Sequence, residues 1–282
     1  MKSMNKIMIG LSGGVGNQLS QIAYALYIQS NFDKQVLLDF SKLKRSPHSS
    51  RADIIVNLEK LFGYNYKASL LDGIFAKKYM EIQFVDSPSF LEAKNIRPRK
   101  LTGYFQHFKY GEKVREQIVS CLNEDLLCAV DKYRVDCNPN AIGVHFRGGD
   151  YFMNLEHNKK FGVVDLGYFQ RAIDFICSKR NFERNKIQVD IITDDQNAAE
   201  LLFKSINLKK NYICSDWYND FCMIGAYENF IIPNSTFSWW SRFFLDRKEY
   251  ITTMPNSWSK TLDERYFNFK TSRFFTIGNS FL

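Results

Sequence analysis

Short apolar runs and helical stripes alternate along most of this chain. Lys6 to Leu11 reads as a strand, and a glycine loop follows, Ser12-Gly13-Gly14-Val15-Gly16-Asn17-Gln18. Leu19, Ile22, Ala23, Leu26 and Tyr27 then recur at helical spacing, before a second strand, Gln35 to Asp39. Residues 41–51 are polar, basic and serine-rich, the composition of an exposed loop. Ile54 to Phe62 reads as helix, Ile82 to Val85 as a short strand, and Tyr110 to Cys128 as one helix.

Beyond the turn cluster Cys137-Asn138-Pro139-Asn140 the alternation is regular. Strands are predicted at 141–146, 187–193, 212–214, 230–232 and 250–253. Helices are predicted at 168–177, 196–203, 217–226 and 236–245, the third behind the capping residue Asp216. Strands alternating with helices predict a parallel sheet covered on both faces. The expected fold class is α/β, with two Rossmann-like domains, 1–137 and 138–282, facing across a cleft.

The composition leaves this picture standing and narrows the compartment. The 282 residues are 45% hydrophobic and 24% charged, which is ordinary for a globular chain. No apolar run approaches the ~18 residues of a membrane-spanning helix. The N-terminal apolar stretch is stopped by glycines before it reaches the length of a signal-peptide core. The six cysteines form no C-x-x-C pair and no zinc spacing. They read as reduced thiols, and a cytoplasmic protein is expected.

In open parallel sheets, ligands bind beyond the carboxyl ends of the strands. The first such segment of the second half is His145-Phe146-Arg147-Gly148-Gly149-Asp150-Tyr151. An arginine at a strand end can grip two phosphate oxygens in a fork, and glycines let backbone and ligand approach closely. His145 and Arg147 share one face by alternation. Taken singly, a surface arginine and a core histidine are the ordinary alternatives. Together at a strand end they favour an anion. The segment Asn234-Ser235-Thr236-Phe237-Ser238-Trp239-Trp240-Ser241 opens a helix, where unpaired N–H groups and hydroxyls suit an anion or serve simple capping. Two such elements in one sheet point to a diphosphate, as in a nucleotide sugar.

The glycine loop is a weaker signal. Gly14-Val15-Gly16 fits the start of a dinucleotide fingerprint, but Leu19 stands at the third glycine position. Asp39 ends the next strand, where such folds hold a ribose, so an NAD-type oxidoreductase is the alternative from another class. A Walker A loop is excluded, since no Lys-Ser/Thr follows. No D-x-D triplet and no His/carboxylate cluster suggests a metal. Asp194-Asp195 follows a predicted strand and is either a ligand pair or a helix N-terminal charge cluster. No nucleic-acid-binding module accompanies the basic charge.

These segments carry a resemblance. Gly13 to Gln18, Gly103-Tyr104-Phe105-Gln106, His145 to Tyr151, Ile192-Thr193-Asp194-Asp195 and Asn234 to Ser241 resemble the motifs of the bacterial α-1,2-fucosyltransferases of glycosyltransferase family 11, in the same order. The resemblance implies a GT-B fold and an inverting, metal-independent transfer of L-fucose from GDP-fucose. The acceptor it implies is the 2-hydroxyl of a β-galactoside in a surface glycan. Another GDP-deoxysugar is the close alternative.

By the same resemblance Arg147 binds the diphosphate and His145 helps seat the nucleotide, with Asp194 and Asp195 as further nucleotide contacts. Ser235, Thr236 and Ser238 cradle phosphate, while Gly14, Gly16, Asn17 and Gln18 line the cleft from the acceptor-side domain. Asp150 is the leading candidate for a catalytic base, with Glu156 and His157 as alternatives. No cofactor and no metal are expected. The chain departs from the family pattern His-x-Arg-Arg-x-Asp at one point, where Gly148 replaces the second arginine.

The net charge of +8 is distributed unevenly. Up to Cys137 there are 20 basic and 14 acidic residues, and beyond it 18 and 16. The surplus includes Lys42, Lys44, Arg45, Arg51, Lys94, Arg97, Arg99 and Lys100. It suits an anionic inner-membrane surface or a lipid-linked acceptor, with a solvated basic face as the alternative.

Overall fold

The computed structural model of the chain describes residues 6–32, 35–39, 60–62, 81–83, 100–148, 155–261 and 268–282. Two compact units emerge from its internal contacts, residues 1–124 with 263–269 and residues 125–262 with 270–282. The named basic residues lie outside the described ones, except Lys100. So do the expected loop 41–51, the start of the helix expected at 54–62 and the end of the strand expected at 82–85.

Among the described residues, the first unit holds a four-stranded parallel sheet: β1 (Lys6–Gly10), β2 (Gln35–Asp39), β3 (Glu81–Gln83) and β4 (Lys100–Thr102). Its order is β2-β1-β4-β3. Helix α1 (Val15–Phe32) buries more than the predicted stripe, because a second helix, α2 (Phe108–Val119), packs on it. Tyr110 of α2 meets Tyr24 and Tyr27 with ring centroids 4.8 and 5.3 Å away. The single helix expected over 110–128 is in fact two. Ser120 N–H closes α2 on Glu116 O, and Asn123 N–H leaves the helix to bond Leu61 O. Helix α3 (Glu124–Asp136) starts only then.

The second unit carries a six-stranded sheet, again parallel throughout the described residues. Its strands are β5 (Ala141–Phe146), β6 (Gln188–Thr193), β7 (Lys209–Ile213), β8 (Asn229–Ile231), β9 (Ile251–Pro255) and β10 (Phe275–Ile277). They lie in the order β10-β9-β8-β5-β6-β7. Helices α4 (Leu155–Lys160), α5 (Leu166–Arg180), α6 (Gln196–Phe203), α7 (Trp217–Ala226) and α8 (Thr236–Leu245) connect them. Asp165, Asp195 and Asp216 cap α5, α6 and α7 by accepting first-turn N–H groups. Strand β5 is buried along its whole length, as a central parallel strand should be. Ile142, Val144, Phe146, Val189 and Ile191 pack there against Phe169, Ile173, Ile176 and Phe203. β7 begins at Lys209, before the apolar residues that signalled it. It is an edge strand, and its lysines suit that position.

Candidate functional site

In the second unit the chain runs from β5 outward to β6 and β7, then returns to the other side of β5 as β8. The strand order therefore reverses between β5 and β8, the point where open α/β sheets hold ligands. Val144 pairs with Ile231, so the segments after β5 and β8 leave the sheet side by side. The first carries Arg147, half-buried, and Gly148, buried. The second runs through Ile232 and Pro233 into the N-terminus of α8.

Strand β6 flanks β5 on its other side, with Phe146 paired to Thr193. Asp194 accepts the Gly148 N–H on its Oδ1 at 3.0 Å. Asp195 accepts from Ala198 N–H at 3.0 Å and donates its own N–H to Thr193 Oγ1 at 3.0 Å. Both aspartates thus lie at the site, and each has a carboxylate oxygen engaged with backbone.

His145 is 5% exposed, and its ring lies 6.0 Å from that of Phe237 in the first turn of α8. Burial, with a smaller contribution from Arg147, lowers its pKa to about 3. The imidazole is therefore neutral and a poor proton acceptor. Its Nδ1 is buried with no hydrogen-bond partner among the described residues.

Ser235 has the extended N-cap backbone of α8, yet its side chain makes no cap bond. Thr236 is half-buried beside it. Ser238 is fully buried and donates to Ser235 O at 3.3 Å, so its hydroxyl is turned into the helix start. Of the three residues, Thr236 is the most exposed.

Three further residues position this site without having been singled out in the sequence. Asn234 Nδ2 donates to the carbonyls of Phe161, Gly162 and Trp258 at 3.3, 3.0 and 3.2 Å. It thereby ties the end of β8 to the turn after α4 and to the segment after β9. Tyr168 Oη donates to Ile232 O at 2.5 Å. Arg242 is fully buried, donating to Thr252 Oγ1, Ile224 O and Tyr227 O at 2.9, 3.0 and 2.6 Å. It anchors α8 against β9 and the end of α7. Asn234 stood in the sequence only as the first residue of the segment Asn234 to Ser241, with no role of its own.

The first unit has its own reversal, between β1 and β4. The glycine loop follows β1, and Gly103 to His107 follows β4. Gln21 joins them, accepting Ser12 N–H at 2.9 Å and donating to Ser12 Oγ at 3.1 Å and Gly103 O at 2.7 Å. Gln106 Nε2 adds a bond to Asn17 Oδ1 at 2.6 Å, and Gln18 Nε2 one to Gly13 O at 2.8 Å. Gly13 has φ +76, and a Cβ there would lie 2.6 Å from Asn17 Nδ2. A Cβ on exposed Gly14 would meet nothing within 4 Å among the described residues. Gly16 is buried in the first turn of α1. Leu19, at the third fingerprint position, is 1% exposed, and so is Asp39, which a ribose contact would need at the surface.

Asp150 lies outside the described residues, as do the side chains of Glu156 and His157. Among the described residues no three His, Cys, Asp or Glu side chains group as metal ligands, and no helix is long and apolar enough to cross a membrane.

Residues 71–273 match the model of glycosyl transferase family 11. The chain is 26% identical over 288 residues to the O-antigen biosynthesis glycosyltransferase WbnK of Escherichia coli, covering 88% of this chain and 93% of that one. It is 25% identical over 278 residues to an alpha-1,2-colitosyltransferase of Escherichia coli, covering 90% and 93%. Among solved structures it is similar to the fucosyltransferase NodZ from Bradyrhizobium, with a TM-score of 0.47 and 13% identity over 86% of this chain and 93% of that one.

Proposed function

We propose that this chain, which belongs to glycosyltransferase family 11, transfers L-fucose from GDP-fucose to the 2-hydroxyl of a β-galactoside in a surface glycan. Glycosyl transfer comes with the family, and the donor, acceptor and linkage are our reading. The observation that carries it is the meeting of the Arg147 segment and the α8 N-terminus at one reversal of strand order. A diphosphate placed there meets a guanidinium and the N–H groups of a helix start together. The NAD-type alternative falls away with the family.

The proposed reaction is inverting and needs neither metal nor cofactor. The bond from the sugar's anomeric carbon to the β-phosphate oxygen breaks, and charge builds on GDP. Arg147 and the first-turn N–H groups of α8 neutralise that charge, the task a metal performs in other transferases. Neutral His145 seats the nucleotide without taking a proton. The acceptor hydroxyl attacks from the opposite face, and its proton passes to Asp150 as general base. The acceptor is assigned mainly to the first domain. A lipid-linked glycan at an anionic membrane suits the basic surplus of that half, and binding to anionic vesicles should then weaken with salt.

A second reading keeps the site and changes the sugar. The relative named as an alpha-1,2-colitosyltransferase favours another GDP-deoxysugar. GDP-fucose and GDP-colitose, each offered with a panel of β-galactosides in the presence of EDTA, decide between the two. Fucosylation with an α-1,2 linkage by NMR supports the first reading, and colitosylation alone supports the second. No transfer from either donor, with no thermal stabilisation by GDP, overturns both.

A further inference from the structure

We infer that Tyr104 is the stacking platform for the acceptor's sugar ring. This rests on the glycosyltransferase reading above and adds a subsite to it. Gly103-Tyr104-Phe105-Gln106 follows β4 at the reversal of the first unit, and the proposed reaction leaves it without a role. Tyr104 is 42% exposed, whereas Phe105 and Gln106 beside it are 3% and 6% exposed.

The local backbone enforces this exposure. Phe105 has φ +51, a left-handed conformation that strains a bulky residue. Such strain persists only where the surroundings over-determine it, and such sites cluster at ligand clamps. Here the Phe105 ring stacks on Tyr24, centroids 4.0 Å apart and planes 9° apart. Gln21 holds Gly103 O on one side, and Gln106 is held by Asn17 on the other. The chain is thus fixed so that Phe105 turns inward and Tyr104 outward.

What Tyr104 faces is suited to a neutral sugar. Its ring lies against the glycine loop, since a Cβ on Gly13 would come 3.1 Å from Tyr104 Cε1. The next residue, Gly14, is exposed, with open space among the described residues where a side chain would be. Residues 10–18 and 102–107 contain no Lys, Arg, Asp or Glu, and His107 is neutral because burial and Lys109 lower its pKa to about 4. The anion-suited groups of the donor site all belong to the second unit, so the occupant here is the uncharged acceptor. A galacto-configured pyranose offers H3, H4 and H5 on one face. Those C–H groups pack on the electron-rich face of a phenol ring, leaving the hydroxyls at its rim for amides such as those of the glycine loop.

The test uses the full chain with Tyr104→Ala and Tyr104→Phe. Methyl β-galactoside binding to the GDP-loaded protein is read by saturation-transfer NMR, which needs no turnover, and acceptor and donor KM are read separately. Tyr104→Ala should weaken galactoside binding and raise acceptor KM about tenfold, the scale of one aromatic stacking contact. GDP affinity should hold, and Tyr104→Phe should stay within about twofold of wild type, because the ring face does the work. Unchanged galactoside binding in Tyr104→Ala, a rise in donor KM instead, or a phenylalanine variant as poor as the alanine one overturns the inference. So does a wild-type protein that binds no galactoside. Galactoside binding without transfer from any GDP-sugar leaves the platform in place and overturns the transferase reading alone.

Discussion

Gly148 gives its backbone N–H to Asp194 Oδ1 at 3.0 Å, and the same glycine has little room for a side chain. A Cβ there would lie 3.0 Å from Asp195 Cβ, 3.1 Å from Phe146 Cε1 and 3.3 Å from Ala198 Cβ. The position at which the family pattern has a second arginine is therefore packed against the start of α6. Gly148→Ala should cost about 1–3 kcal/mol of stability through overpacking. Gly148→Arg should lower the melting temperature further without strengthening GDP binding. Thermal melts with and without GDP check both, and a tighter-binding arginine variant would reject the packing account.

On the proposed function, Asp194 would act on the donor site through that bond. Asp194→Ala removes the acceptor for Gly148 N–H, and the carboxylate is exposed, so the loss should be about 1 kcal/mol. Asp194→Asn keeps an oxygen in place. Calorimetric titration with GDP should show the alanine variant weakened about fivefold and the asparagine variant near wild type. Equal weakening in both would mean that the negative charge itself matters to the ligand.

The two glycines of the first loop should fail in different ways. At Gly13, φ is +76 and a Cβ would collide with Asn17, so Gly13→Ala should destabilise the fold by more than 1 kcal/mol. Around a Cβ at Gly14 nothing lies within 4 Å among the described residues. Gly14→Ala should therefore melt like wild type while losing transfer, if ligand fills that space. A Gly14→Ala enzyme with full activity would show that the room above the loop is unused.

The second unit was legible because each of its signals was local. Strand β5 and helices α6, α7 and α8 have the bounds their periodicity predicts, and Asp216 caps where it was expected to. Strands β4 and β10 were missed because each has three residues and no alternation to read. The break between α2 and α3 was hidden for another reason. No Pro or Gly marks it, and the bond from Asn123 to Leu61 that fixes it spans distant sequence. Strand order is likewise non-local. The sequence could place Arg147 and Ser235 at strand ends, but only the pairing of β5 with β8 makes those ends neighbours. Nothing in the sequence sets Arg242 apart, although it is fully buried among backbone carbonyls and the rings of Tyr250 and Phe230.

Arg147 should be the most costly single loss to turnover. In the proposed reaction, with Gly148 in place of a second arginine, the Arg147 guanidinium carries the charge of the leaving diphosphate. Arg147→Ala should lower kcat by roughly 10²–10³-fold, the scale of removing one preorganised donor. Arg147→Lys should recover only part, because a point charge replaces a two-oxygen fork. Single-turnover assays with saturating donor separate this from weaker binding. Near-normal transfer by the alanine variant would remove Arg147 from the mechanism.

His145 makes stability depend on pH in a stated direction. In the fold its pKa is lowered to about 3 by burial and by Arg147, against 6.5 in the unfolded chain. Between those values the unfolded chain binds a proton that the folded chain does not. Its stabilising contribution is thus full above about pH 6.5 and is lost as pH falls toward 3, by up to about 1.4 kcal/mol per pH unit. His107, lowered to about 4, acts with the same sign. Asp220 opposes both. Its burial raises its pKa to about 6, so its contribution is present at low pH and lost as pH rises through 6. The difference between wild type and His145→Gln isolates the buried imidazole from these two. From pH 6.5 down to 5 the melting temperature of wild type should fall more steeply than that of His145→Gln. Parallel curves would mean that His145 is protonated in the fold, and that the neutral side chain assigned to the nucleotide site is wrong.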